Sequence, residues 1–261
     1  MNFSFTPFDP VFLTIGPLEL HYYGLMYAIG IMFCYSFLPK IYKIRNIKIT
    51  EQQHENIVFM SVLLGLIGGR LFYVFFYYPE FFLLHPEKII AVWDGGMASH
   101  GGFLGGILGF FIMTKKYKIP FLKLGDAMVI PLAIPFMIGR LGNFINGELY
   151  GRITDVAWCM DFDRAEGCRH PAQIYAMGKN ATIFAILYSL RNTKWPDGTL
   201  VYIFFSLYLS FRFIVEFFRE PDQQIGLLLG DLSQGQWISF ILLIVLNTIF
   251  FLLMIHKNYK K

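Results

Sequence analysis

The chain has 261 residues, 56% of them hydrophobic and only 15% charged, with a formal net charge of +4. Ordinary soluble domains are about a quarter charged, and a soluble fold of this length has no interior for 29 Phe and 15 Tyr beside so many aliphatic residues. This excludes a soluble protein and predicts one integral membrane domain over 1–261, with no linker, fixed-period repeat or nucleic-acid partner.

The N-terminus lacks the basic start and short apolar core of a cleaved signal peptide, so insertion is expected to rest on the first hydrophobic helix. A spanning helix needs roughly 20 apolar residues. Seven segments qualify or nearly do, at about 20–39, 57–78, 98–114, 127–144, 174–190, 200–218 and 237–255. The expected fold is an all-α membrane protein of about seven transmembrane helices. Small outer-face elements join them, including a loop at about 145–173.

Basic residues set the orientation, because Lys and Arg are retained on the cytoplasmic side. One set of alternating loops holds Lys40, Lys43, Arg45, Lys48, Lys115, Lys116, Lys118, Lys123, Arg191, Lys194, Lys257, Lys260 and Lys261. The other set holds Lys88, Arg152, Arg164, Arg169 and Arg219. Thirteen against five places the N-terminus outside and the C-terminus inside. Trp93, Trp158 and Trp237 then fall near the outer interface, where an aromatic belt is expected, and Trp195 near the inner one.

Tyr23 opens the first span from the outer side. The second carries Arg70, with Gly65 and Gly69 as a surface for close helix packing. The third opens with Ser99-His100-Gly101-Gly102. There Gly101, Gly105 and Gly109 repeat every four residues, as do Gly102 and Gly106. The fourth ends in the stretch from Gly139 to Arg152, where Arg140 and Asn143 share a helix face. Its glycines allow close backbone approach and helix exit, which Asn146 and Glu148 can order.

Cys159 and Cys168 lie in the outer loop, where an oxidising compartment permits a disulfide that sequence cannot verify. Cys34, inside a span, reads as packing. Lys179 enters the fifth span from outside. The sixth carries Tyr208, Arg212, Glu216 and Arg219, spaced four, four and three apart as one stripe. Glu216 beside two cations should stay ionised, and reads as an orienter of arginine rather than a general acid. The remaining histidines, His21, His54, His85, His170 and His256, read as surface or interfacial. No His, Cys or carboxylate grouping has metal-ligand spacing, so no metal is expected.

Depth ties these residues together. Arg70 and Arg140 lie 13 residues, and Arg212 lies 12, from the inner starts of their spans. At about 1.5 Å per residue each sits roughly 18–20 Å up, in the outer half of a core about 30 Å thick. Arg70, Arg140, Lys179 and Arg212 against one carboxylate, Glu216, make an anion site, and an anion at that depth is most simply a phospholipid phosphate. Arginine's planar fork suits phosphate oxygens. Snorkelling or structural ion pairing accounts equally for any one arginine near a helix end. It accounts less well for Arg140 and Arg212 at matched depth.

These residues resemble the bacterial phosphatidylglycerol–prolipoprotein diacylglyceryl transferases. The resemblance rests on Gly139 to Gly151, His21-Tyr22-Tyr23-Gly24-Leu25-Met26-Tyr27 and Val92-Trp93-Asp94-Gly95-Gly96-Met97. It also rests on His100-Gly101-Gly102, Arg169-His170-Pro171-Ala172-Gln173-Ile174-Tyr175 and Phe211 to Arg219. It covers nearly the whole chain, although the loop between Tyr150 and Arg169 is short for the family.

The resemblance implies an enzyme of the bacterial cytoplasmic membrane that faces the outer leaflet. It would move diacylglyceryl from phosphatidylglycerol to the lipobox cysteine of a prolipoprotein, releasing glycerol phosphate and needing no cofactor. Such a reaction needs a thiolate, neutralisation of the leaving phosphate and two substrates held in line. The expected catalytic set is His100 as proton acceptor with Arg140 and Arg212 on the phosphate. Asn143 and Tyr23 add hydrogen bonds to the lipid, while Glu216 and Tyr208 position Arg212. Arg70, Glu148, Gly151 and Arg219 stand in the second rank. A lipid transporter would use the same arginines but should show inverted repeats and broken helices, and no pairing between halves is visible. A non-catalytic scaffold has little need of His100 and the Arg140–Gly151 stretch at one level.

Overall fold

The computed structural model describes residues 3–5, 9, 11–16, 18–163, 165–221 and 226–259. Arg164, Lys260 and Lys261 of the charge count lie outside them, as do the side chains of Asp94, His256 and Lys257. Helices dominate: α1 (Tyr22–Ile44), α2 (Glu51–Phe76), the short α3 (Pro79–Leu84), α4 (Ser99–Lys116), α5 (Phe121–Ile145), α6 (Ala172–Ser189), α7 (Thr199–Val215) and α8 (Gln234–Tyr259). A helix lies at each of the seven expected segments. Among the described residues, four helices are long and apolar enough to cross a membrane: α1, α2, α5 and α8. Helix α7 is apolar but shorter.

The segments joining the helices include short strands. Short strands β1 (Phe3–Phe5), β4 (Met160–Phe162) and β5 (Cys168–Arg169) form one small sheet in the order β1-β4-β5. Strands β2 (Val11–Ile15) and β3 (Leu18–His21) form a hairpin, as do β6 (Leu227–Leu228) and β7 (Leu232–Ser233). Strands this short give almost no periodic signal, so the sequence reading could not find them.

The backbone groups into two compact units, one of residues 1–38 and 125–261, the other of residues 39–124. In the second unit α2 begins with a capping box. The Thr50 side chain accepts from Gln53 N–H, and the Gln53 side chain accepts from Thr50 N–H. The helix therefore starts six residues before the apolar segment estimated from hydropathy. His54, read as surface or interfacial, is buried there against Tyr42.

Helices α2 and α4 pack through glycine. A Cβ on Gly101 would lie 2.2 Å from the Gly68 carbonyl oxygen, one on Gly105 1.9 Å from that of Leu64, and one on Gly109 2.3 Å from that of Met60. Only hydrogen fits at these three positions, so backbone touches backbone.

In the first unit, α5 carries Pro131 and Pro135. Pro135 has no N–H for the Pro131 carbonyl, which is four residues back. The Cys34 thiol donates to that carbonyl at 3.3 Å. Gly30 allows the approach, since a Cβ there would lie 2.6 Å from the Pro135 Cα. Helix α7 starts on a buried carboxylate, Asp126, which accepts from Gly198 N–H and Val201 N–H at 3.0 Å each. A negative charge there offsets the positive end of the helix. Helix α8 starts with a second capping box, Ser233 with buried Gln236.

Candidate functional site

The candidate phosphate residues Arg140, Asn143, Arg212 and Glu216 all belong to the first unit. Arg140 sits in the last turns of α5 and donates to the Asn143 side-chain oxygen at 3.2 Å. That bond turns the amide NH2 of buried Asn143 away from the guanidinium, leaving it free to donate elsewhere. Helix α1 flanks this end of α5. The Tyr27 ring packs where a Gly139 side chain would be, and Tyr23 lies against Gly142. The half-exposed Tyr23 hydroxyl donates to Tyr27 Oη at 3.3 Å. Tyr27 also lies within electrostatic reach of Arg140. It was not among the sequence candidates, although four-residue spacing puts it on Tyr23's face.

Helix α5 ends at a sharp turn. Gly147 adopts a left-handed φ of 65°, which glycine tolerates without penalty. Glu148 N–H then returns to the Asn143 carbonyl at 2.9 Å. Glu148 is exposed and works through this turn. Its carboxylate accepts from Asn146 at 3.3 Å, and its backbone carbonyl accepts from buried Gln173 at 2.7 Å.

Gly151 is a crossing point. Its N–H donates to the His170 carbonyl at 2.9 Å, and a Cβ would lie 2.5 Å from the carbonyl oxygens of both His170 and Phe218. No side chain fits at Gly151. Around it, Arg169 pairs with Glu220 at 3.1 Å, donates to the Gly151 carbonyl and covers the Tyr150 ring.

Cys159 and Cys168 form a disulfide across the β4–β5 hairpin. His170, outside the spanning helices, has its imidazole pushed below the ordinary range by burial. Its Nδ1 lies 3.0 Å from the Tyr175 hydroxyl.

In α7, Arg212 pairs with Glu216 at 2.9 Å, and Arg219 reaches the other oxygen of the same carboxylate at 3.6 Å. Glu216 is buried at the C-cap of the helix. Glu216 thus pairs with both arginines of the stripe. Gly235, at the start of α8, completes the wall: a Cβ there would lie 3.0 Å from Glu216 Oε1 and 3.1 Å from Arg212 Nη2. Nothing in the sequence marked Gly235, because its meaning depends on how α7 and α8 meet. Tyr208 is within electrostatic reach of Arg212, but its ring lies under the ammonium of Lys179, 3.9 Å from the centroid.

The second unit holds His100 and Arg70. His100 is exposed in the first turn of α4, its ring centroid 6.1 Å from that of Phe72. Arg70 is buried, and its donors go to backbone carbonyls. Nη2 donates to Lys88 at 2.6 Å, Nε to Ile89 at 2.9 Å, and Nη1 to Gly96 at 3.0 Å and to Gly95. These bonds fasten the segment between α3 and α4. Arg70 also borders a cavity of about 350 Å³ lined by Tyr73, Tyr78, Phe81 and Phe82. No group of three or more metal-ligating side chains occurs among the described residues.

The model of the prolipoprotein diacylglyceryl transferase family matches residues 10–253. The phosphatidylglycerol–prolipoprotein diacylglyceryl transferase of Geobacter sulfurreducens is 42% identical over 239 residues, covering 91% of this chain and 92% of that protein. The enzyme of the same name from Bordetella avium is 43% identical over 244 residues, 90% of this chain and 91% of that one. That from Desulfotalea psychrophila is 37% identical over 257 residues, 95% and 94%. With a family match over nearly its whole length and such relatives, the chain belongs to the prolipoprotein diacylglyceryl transferase family.

Proposed function

We infer that the chain transfers the diacylglyceryl group of phosphatidylglycerol to the lipobox cysteine thiol of prolipoproteins, the first step of lipoprotein maturation. The thiolate sulfur bonds to the glyceryl carbon that bears the phosphate. The carbon–oxygen bond breaks, and its electron pair leaves with glycerol phosphate. The thiol proton passes to a base.

One observation carries the role of the site: two arginines on neighbouring stretches of one unit, each held by a partner. Arg140 is tied to Asn143, and Arg212 to a buried carboxylate. Held guanidinium groups stabilise developing phosphate charge without reorganising during the reaction. Asn143 donates to the lipid, and Tyr23 adds a hydrogen bond through its hydroxyl oxygen, whose proton goes to Tyr27. Glu216 fixes Arg212, with Arg219 sharing its charge, and Tyr208 borders the same cations. Glu148 and Gly151 shape the exit of α5. Arg70 is kept as a positioning residue, since its donors are taken by carbonyls. His100 is the proton acceptor, an exposed imidazole in the first turn of α4.

The helices at the seven apolar segments are read as seven spans, with the N-terminus outside and the C-terminus cytoplasmic. What supports this is the excess of Lys and Arg in one set of loops. The protein then resides in the bacterial cytoplasmic membrane, with its site toward the outer leaflet. The test is product chemistry. Purified protein in detergent is incubated with phosphatidylglycerol and a lipobox peptide, beside the same peptide with serine for cysteine. A mass gain of one diacylglyceryl group on the cysteine peptide alone supports the reading. Lipid binding without peptide modification rejects it and favours a lipid transporter.

A further inference from the structure

Of the cations expected to form the anion site, Lys179 is left without a role by the proposed reaction. It lies two turns into α6, is only 9% exposed, and belongs to a helix with no acidic residue. One N–H donates to Asn180 Oδ1 at 2.9 Å, and the ammonium sits over the Tyr208 ring. Neither partner carries a negative charge. Lys179 lies within electrostatic reach of Arg140 and Arg212, both cations. The nearby carboxylate, Glu216, is already shared between Arg212 and Arg219. Among the described residues, no carboxylate pairs with Lys179. Burying an ammonium beside two guanidinium groups is costly unless a counter-charge is supplied.

A bound anion supplies it. The donor phosphodiester carries one negative charge, and the phosphate monoester that departs carries nearly two at neutral pH. An ammonium has three donors. In Lys179 one goes to Asn180 and one faces the ring of Tyr208, which leaves one for a phosphate oxygen. We propose that Lys179 contacts the phosphate of the donor lipid as a third cation beside Arg140 and Arg212, matched to the charge the leaving group gains. Asn180 and Tyr208 hold the ammonium in place. This role rests on the transfer reaction proposed above.

An interaction that strengthens as charge develops acts on kcat more than on KM. The experiment compares full-length wild type with Lys179→Met, which keeps the side-chain bulk and removes the charge. It reads kcat, KM for phosphatidylglycerol, KM for a lipobox peptide, binding of glycerol 1-phosphate by calorimetry, and thermal midpoint.

In Lys179→Met, kcat is expected to fall on the order of 10- to 100-fold and glycerol 1-phosphate to bind more weakly by a similar factor, as for loss of one charged hydrogen bond. The peptide KM stays unchanged. The thermal midpoint stays level or rises, because an uncompensated charge has been removed. Inorganic phosphate, tested in parallel, separates recognition of the bare phosphate from that of the glycerol-bearing group.

Two results overturn the proposal. One is a variant within twofold of wild type in both kcat and glycerol 1-phosphate binding. The other is a loss of both with an equal fall in thermal stability, which marks a packing role. If wild type itself forms no thioether, the transfer reading fails, while glycerol 1-phosphate binding still decides whether Lys179 holds phosphate.

Discussion

Replacing Gly105 with alanine tests the close contact of α2 and α4 at its tightest point. The new Cβ would lie 1.9 Å from the Leu64 carbonyl oxygen and 2.7 Å from its carbon. Ordinary contact needs about 3.4 Å, so backbones must separate by over an ångström. Overpacking of that kind costs typically 1–3 kcal/mol, and with backbone as the obstacle we take the upper end. Alanine returns about 1 kcal/mol of helix propensity over glycine. The net loss is about 2 kcal/mol.

Gly106 supplies the control. Its Cβ would meet only the Ser61 carbonyl oxygen, at 3.5 Å, so Gly106→Ala keeps the propensity gain and stabilises by up to about 1 kcal/mol. The two variants should therefore differ by about 3 kcal/mol in opposite directions, read as thermal midpoints in one detergent. Equal midpoints would refute the backbone contact as drawn.

Other perturbations probe the loops. Arg70→Met strips donors from the carbonyls of Lys88, Ile89, Gly95 and Gly96. At about 1–3 kcal/mol for a buried acceptor left unpaired, the segment between α3 and α4 should become open to protease in Arg70→Met and in Arg70→Lys, which lacks the fork. Unchanged cleavage would count against the clamp. Reducing the Cys159–Cys168 bond frees a loop with sequence separation 9, worth about 2–3 kcal/mol by loop entropy. Amide exchange around 151–169 should quicken in the Cys159→Ser, Cys168→Ser variant, and protection equal to wild type would contradict this.

His170 gives a pH dependence. Burial holds its folded pKa below the ordinary value, so the unfolded chain takes up the proton first as pH falls. Its contribution is present above about 6.5 and is lost below it. Amide protection near Tyr175 should fall between pH 7 and 5.5 and do so less in His170→Gln.

Much of the site was legible because its chemistry is local. Arg140 with Asn143 on one face, and Arg212 with Glu216, follow from three- and four-residue helical spacing; the structure pairs Arg212 with Glu216 as expected and adds a bond from Arg140 to Asn143. The glycine rows of α4 were equally plain, since a four-residue repeat defines one helix face. What escaped depends on contacts distant in sequence. Gly235 matters only because α8 begins beside Glu216, and Asp126 because it lies under the start of α7. Arg70 looked like a phosphate ligand by depth, yet its donors are taken by a loop about twenty residues away. Composition fixed that residue's cost but not its partner. Helix ends were missed where polar turns such as Thr50–Gln53 lengthen a helix beyond its apolar stretch.

The most direct test of the central claim is single-turnover transfer by wild type, Arg140→Lys and Arg140→Ala, with phosphatidylglycerol and lipobox peptide saturating. If Arg140 stabilises the departing phosphate, Arg140→Ala should lose on the order of 100-fold or more in the rate of thioether formation. Arg140→Lys should recover only part of it, since a point charge replaces a fork. A rate in Arg140→Ala within a few-fold of wild type, in protein that remains folded, would contradict the account.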